Sequence, residues 1–231
     1  MSKMKIDVYS IIKPEVEKLK TLGFKTASLD CRLLLSQILE KAYPVYTHEQ
    51  VNISKNEIMN FQTLVKQRQK GKPVSRILNK RNFWKREFML NGDTLDPRPD
   101  SEILIEAVLE YFPSKTQLLK ILDLGSGTGC LGLSLLEEYE DSLISFVDVS
   151  KNSLEIVKKN SHQFWLKGKL KCFHLDWHTY NWDTQLLNFE ENKKFDIIVI
   201  NPPYIPSNDI NFLEIEVRDY DPILALDGGN D

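Results

Sequence analysis

Apolar residues recur at helical spacing through the first third of the chain. Val8, Ile11, Ile12, Val16 and Leu19 form one stripe that stops before Gly23, and Leu29, Leu33, Leu34, Leu35, Ile38 and Leu39 form a second. Ser54 and Glu57 make a capping box ahead of a third, carrying Ile58, Phe61 and Val65. No strand-like alternation is visible here, so residues 1–71 are expected to form a small all-α domain that holds or recognises a partner. Phe83, Trp84, Phe88 and Leu90 then interleave with charges, the pattern of a short β-hairpin with one buried face. Residues 72–97 are expected to be a linker built on that hairpin. Asp96-Pro97-Arg98-Pro99-Asp100-Ser101-Glu102 puts prolines and acids where a helix N-terminus favours them, and Ile103, Leu104, Ala107, Val108 and Tyr111 continue the helix.

From Lys120 the period changes. Strands are expected at Lys120–Leu124, Leu143–Val149, Leu170–Leu175 and Phe195–Ile200, with helices near Cys130–Tyr139 and Lys151–Trp165, the second capped by Ser150. Alternation of strand and helix implies an α/β, doubly wound, Rossmann-like parallel sheet over residues 98–231. Sequential βα units wind outward from the first strand, so the strand order should be 3-2-1-4.

The chemistry lies where those strands end, since ligands of open α/β sheets bind beyond the carboxyl ends of the strands. Asn201-Pro202-Pro203-Tyr204 follows the apolar fourth strand, and neither proline can donate to a ladder, so the loop is stiff. Its parts suit a planar –NH2 group. The Asn201 side-chain oxygen and the Pro202 carbonyl can each accept an N–H, and Tyr204 can stack on the group that carries the nitrogen. Asp123-Leu124-Gly125-Ser126-Gly127-Thr128-Gly129 follows the first strand. Position 130 is Cys, so the dinucleotide G-x-G-x-x-G pattern fails, whereas G-x-G-x-G behind an acid is the S-adenosylmethionine variant. Asp148 ends the second strand at the distance where an acid meets ribose hydroxyls. Asp176-Trp177 ends the third, with a carboxylate to accept from an adenine amino group and an indole to cover the ring.

Composition narrows the picture modestly. With 231 residues, 42% hydrophobic and 27% charged, and a net charge of −3, nothing global advertises nucleic acid or membrane. Lys3 and Lys5 precede no apolar leader, and no run reaches transmembrane length. Cys31, Cys130 and Cys172 are odd in number and far apart, which fits a reduced cytoplasmic compartment. His174 and His178 straddle a strand end with no Glu or Cys in metal spacing, so no metal is expected. Between Lys66 and Arg86 stand nine basic residues and no acid. That stretch is either a solvated helix end and hairpin or a basic surface facing an acidic or RNA-bearing partner.

Asp123–Gly129, Asp148, Asp176-Trp177 and Asn201–Tyr204, in this order, resemble the class I methyltransferases of the HemK/PrmC family. Arg98–Glu102 is similar to that family's R-P-[DE]-[ST]-E segment. Gly71-Lys72-Pro73-Val74 resembles its linker, and Asp221-Pro222 with Ala225-Leu226-Asp227-Gly228-Gly229 its post-catalytic loop. The resemblance implies transfer of methyl from S-adenosyl-L-methionine to the side-chain amide nitrogen (N5) of the glutamine in the Gly-Gly-Gln motif of class I peptide chain release factors. Asn201, Pro202 and Tyr204 would be catalytic, and Asn201, Pro202, Pro203 and Tyr204 would hold substrate. Asp123, Gly125, Ser126, Gly127, Thr128, Gly129, Asp148, Asp176, Trp177 and Asn201 would bind cofactor. A monomer at full length is expected, with nucleic acid met only through the release factor or ribosome.

Asn-Pro-Pro-Tyr is shared with enzymes that methylate adenine, so an adenine-N6 nucleic-acid methyltransferase is an alternative. A ribosomal-protein glutamine methyltransferase and an inactive fragment are two others. Three features depart from the family pattern. Arg76-Ile77-Leu78-Asn79 stands where Tyr-Ile-x-Gly is usual, Lys85-Arg86 makes the hairpin more basic, and Asp231 comes before the family's last strands. The chain is therefore expected to be truncated, with its fourth strand an exposed and sticky edge.

Overall fold

The computed structural model describes residues 3–166, 170–190 and 194–230; Asp231 lies outside them. The chain divides into two compact units, Met1–Leu78 and Asn79–Asp231.

The first unit contains the three expected helices, α1 (Val8–Thr21), α2 (Ala27–Ile38) and α3 (Lys55–Gln69), and a short α4 (Val74–Leu78) in the stretch expected to be linker. Their stripes meet in one core that includes Val8, Leu19, Leu34, Leu35, Phe61 and Val65. It is not all-α. β1 (Met4–Asp7) pairs antiparallel with β2 (Gln50–Ile53), Met4 opposite Ile53. Only Val51 and Ile53 of β2 are buried, and two inward points are too few to show a period of two. The Ser54 capping box is present: Glu57 N–H donates to Ser54 Oγ at 3.3 Å, and Ser54 N–H donates to Glu57 Oε2 at 2.7 Å. Ser54→Ala should lower the stability of this unit by about 1 kcal/mol, read from its denaturation midpoint. An unchanged midpoint would mean that the box adds nothing here.

The basic stretch is used largely inside the protein. Arg68 is buried against Asp30 at 2.7 Å, Lys80 pairs with Glu87 and Arg81 with Asp96, while Lys85 and Arg86 meet Glu138 and Glu137. Asn79, standing where the resembled family has glycine, has φ 54°, a left-handed backbone that asparagine tolerates.

The second unit opens with the expected hairpin, β3 (Lys80–Phe83) and β4 (Arg86–Met89), followed by α5 (Glu102–Tyr111). Then come β5 (Lys120–Leu124), α6 (Cys130–Glu138), β6 (Leu143–Asp148), α7 (Lys151–Gln163) and β7 (Leu170–His174). An unanticipated α8 (Trp182–Phe189) precedes β8 (Ile197–Ile200). The sheet is parallel, in the order β7-β6-β5-β8, which is the expected 3-2-1-4. Alternation assigns the two faces. Ile121, Ile144, Phe146, Ile197 and Val199 meet α5, α6, α7 and the hairpin's Phe83 and Phe88. Leu122 and Val147 point the other way, to Leu186 of α8. β8 lies at one edge, with Ile198 60% and Ile200 39% exposed.

After β8 the chain forms a feature the sequence did not suggest. β9 (Ile205–Pro206) pairs in parallel with β10 (Asp227–Gly229), on either side of the short α9 (Ile215–Arg218). Among the described residues no helix is long and apolar enough to cross a membrane.

Candidate active site

Register brings the strand ends to one level. Leu124 stands opposite both Val147 and Ile200, and Asp148 stands opposite His174. The next residues, Gly125, Asp148 and Asn201, with Asp176 two positions beyond His174, surround one cleft of about 180 Å³.

The glycine loop turns over the end of β5. Gly125 N–H and Ser126 N–H both donate to the Val147 carbonyl, at 2.9 and 3.1 Å, and Gly127 N–H donates to Asp148 Oδ2 at 2.8 Å. Gly125 has φ 73°, a backbone that favours glycine, and a Cβ on it would stand 3.0 Å from the Trp177 ring, which would have to give way. Ser126 Oγ is buried on the cleft wall with no hydrogen-bond partner among the described residues.

Asp148 accepts one N–H on each oxygen, from Gly127 at 2.8 Å and from Ser150 at 2.8 Å. A carboxylate oxygen has two lone pairs, so each retains capacity for a ligand hydroxyl. Burial pushes its pKa up, and the Ser150 and Gly127 N–H groups offset part of that. Asp176 accepts from the His178 N–H at 2.9 Å, and the Trp177 indole N–H donates to His178 Nε2 at 3.0 Å. The Trp177 ring thereby forms one wall of the cleft.

Asp123 also lines the cleft, but its Oδ2 is engaged by the Gly132 N–H of α6 at 2.9 Å and the residue is 1% exposed. Burial pushes its carboxyl up to about 8, the Gly132 bond working against this and the nearby Asp148 charge adding to it. The folded protein thus keeps a proton that the unfolded chain releases above its ordinary value of 3.8. The resulting stability is complete below that value, falls as pH rises, and is gone once the folded group has titrated. Wild-type melting temperature should therefore decline from pH 5 to pH 8, and D123N should flatten the decline. Parallel profiles for the two proteins would refute this.

At the fourth strand end, Asn201 and Pro203 line the cleft. Asn201 Nδ2 donates to Ser101 Oγ at 3.3 Å, which leaves its Oδ1 to accept. Pro202 is exposed and Tyr204 is 74% exposed, so both lie at the rim of the loop rather than in its wall. The loop's far side is held by β10. A Cβ on Gly228 would meet Tyr204 Cα at 2.9 Å and the Pro203 carbonyl at 3.0 Å, so only glycine permits that approach.

Three supporting contacts were not anticipated. Arg98, on the cleft wall, is ion-paired with buried Asp221. Leu224, Ala225 and Asp227 close one side of the cleft. Asn160 is fully buried and donates to the Thr128 carbonyl at 2.9 Å while exchanging bonds with the Met89 backbone at 2.8 and 3.1 Å. Thr128 is thereby tied to the hairpin. A polar residue within the helical stripe of α7 was the only available signal. Among the described residues, no group of three or more His, Cys, Asp or Glu could hold a metal ion.

Comparison with known proteins agrees with this geometry. Residues 95–213 match the family model described as Methyltransferase small domain, and residues 16–78 match the PrmC N-terminal domain. The chain is 32% identical to the release factor glutamine methyltransferase of Agrobacterium fabrum, over 93% of this chain and 72% of that protein. It is 35% identical to the one of Bradyrhizobium diazoefficiens, over 93% and 70%. With a bifunctional methyltransferase of Rickettsia bellii it shares 31% identity over 96% of its own length, spanning 43% of that protein. The chain belongs to the release factor glutamine methyltransferase family.

Proposed function

We propose that this protein transfers a methyl group from S-adenosyl-L-methionine to the side-chain amide nitrogen of the glutamine in the Gly-Gly-Gln motif of class I peptide chain release factors, in the cytoplasm. The observation that carries the reading is the convergence at one cleft of the glycine loop, Asp148, Asp176-Trp177 and an Asn201 whose oxygen is left to accept. The cleft suits the donor. Asp148 retains lone pairs for ribose hydroxyls, Asp176 and the Trp177 ring offer an acceptor and a flat face to adenine, and Ser126 Oγ has no hydrogen-bond partner among the described residues. When bound, the donor supplies an electrophilic methyl on a sulfonium.

This chain's own residues supply orientation. An amide nitrogen is a poor nucleophile because its lone pair is delocalised into the carbonyl. Asn201 Oδ1 and the Pro202 carbonyl can accept its two N–H groups, which fixes the nitrogen's direction and favours the positive charge that develops on it. Alignment of this kind accounts for roughly 7–11 kcal/mol of barrier in well-oriented reactions. The Pro-Pro backbone and the close approach of Gly228 keep the loop stiff.

Transfer of labelled methyl should be followed to a class I release factor, to its glutamine-to-alanine variant, to a ribosomal protein and to adenine-containing nucleic acid. Label in the wild-type release factor alone is expected. Label in nucleic acid would favour the adenine reading, which the internal pairing of Arg68, Lys80, Arg81, Lys85 and Arg86 already weakens.

A further inference from the structure

Ser101 precedes α5 and stands 100 residues from Asn201 in the chain, yet its Oγ accepts from Asn201 Nδ2 at 3.3 Å on the wall of the same cleft. An asparagine side chain is nearly symmetric in shape, with an acceptor on one arm and a donor on the other. A half-turn about its last torsion would aim N–H groups at the cleft in place of an oxygen. Such a rotamer would set N–H against the N–H groups of the substrate amide; because a hydroxyl can accept from one arm or donate to the other, what Ser101 fixes is the place of the side chain.

The position of Ser101 is itself secured from both sides. Its N–H donates to the Arg98 carbonyl at 3.0 Å, Arg98 is ion-paired with buried Asp221, and Pro99 restricts the backbone between them. On the other side, Glu102 Oε1 accepts the Trp84 N–H at 2.8 Å. With its backbone held on both sides, Ser101 presents its hydroxyl to Asn201 from a fixed place.

We infer that Ser101 is a positioning residue for methyl transfer: its Oγ, within hydrogen-bond distance of Asn201 Nδ2, fixes the place and tilt of the Asn201 side chain on the cleft wall, so that its Oδ1 meets the substrate amide. The inference rests on the proposed function, but the contact can be read without turnover. In the 231-residue chain carrying 15N-labelled asparagine, the Asn201 side-chain amide signal is assigned by its loss in N201A. S101A should shift that signal and speed its proton exchange, whereas S101T, which keeps the hydroxyl, should leave both near wild type. In transfer assays S101A should lower kcat about tenfold. KM for release factor and affinity for S-adenosylmethionine should be unchanged, with S101T restoring the rate. An Asn201 signal indifferent to S101A, wild-type kcat in S101A, or an equal loss of cofactor affinity would overturn the positioning role. If S101A moves the signal but the wild-type chain labels no release factor, the proposed function is overturned, and with it the catalytic meaning of the contact.

Discussion

Asn201→Ala should cut methyl transfer by about 10²–10³-fold, the usual cost of losing one oriented polar partner of a developing charge. Affinity for S-adenosylmethionine should be nearly unchanged. The asymmetry follows from where the side chain acts. Its Nδ2 is engaged by Ser101, and in the proposed mechanism its Oδ1 meets the substrate amide, where charge develops only in the transition state. The backbone around it does not depend on that side chain, because Pro202, Pro203 and the β9–β10 pair shape the loop. The fold should therefore survive the substitution. Calorimetry for cofactor affinity and single-turnover transfer for rate would separate the two effects. Equal losses in both would mean that Asn201 mainly shapes the cofactor pocket, and the mechanism proposed above would be wrong.

The second large effect is expected at Asp148. Asp148→Ala should weaken cofactor binding by about 1–3 kcal/mol, the cost of losing a hydrogen bond to a charged group. That corresponds to roughly 5–150-fold in affinity. A second contribution adds to it. The same carboxylate holds the Gly127 and Ser150 N–H groups, so alanine also unties the glycine loop from the start of α7. Asp148→Asn separates the two contributions. It keeps one acceptor oxygen for the loop but removes the charge and one of the two acceptors. If binding needs the full carboxylate, the Asn variant should lose most of what the Ala variant loses. If the loop matters more, the Asn variant should sit near wild type. Unchanged affinity in Asp148→Ala, measured by calorimetry, would remove Asp148 from the site.

Family relationship and geometry bear differently on these expectations. The matches at residues 16–78 and 95–213 identify the family, while the role of each side chain follows only from what it touches. Asp123 shows the difference. From the motif alone it reads as a cofactor ligand; in the structure it lines the cleft while its carboxyl also accepts the Gly132 N–H, deep beside α6. That bond ties the end of β5 to α6. Tyr204 shows the reverse, being well exposed at the rim, where a stacking partner would have to come from the substrate side.

What the sequence determined by itself is local. A β-branched run such as Ile197–Ile200 has few alternatives to a strand, though at the sheet edge only Ile197 and Val199 are buried, and the strand boundaries at Lys120–Leu124 are those expected. Ser150 caps α7 by accepting the Ser153 N–H, and Ser54 with Glu57 caps α3, because both depend on residues only three apart. The glycine loop was equally legible, since left-handed turns favour residues without a Cβ. Even the 3-2-1-4 order followed from right-handed winding of successive units. Only the tertiary structure decided which distant residues would meet. Met4 pairs with Ile53, Asn160 reaches Met89 across 71 positions, Ser101 reaches Asn201 across 100, and Arg98 reaches Asp221 across 123. Such contacts leave no periodic trace along the chain, because each depends on one or two side chains and on packing elsewhere that brings their backbones together. The cleft's chemistry was therefore readable from its strand ends, while the orientation of Asn201 and the clamping of its loop arose only when the chain closed upon itself.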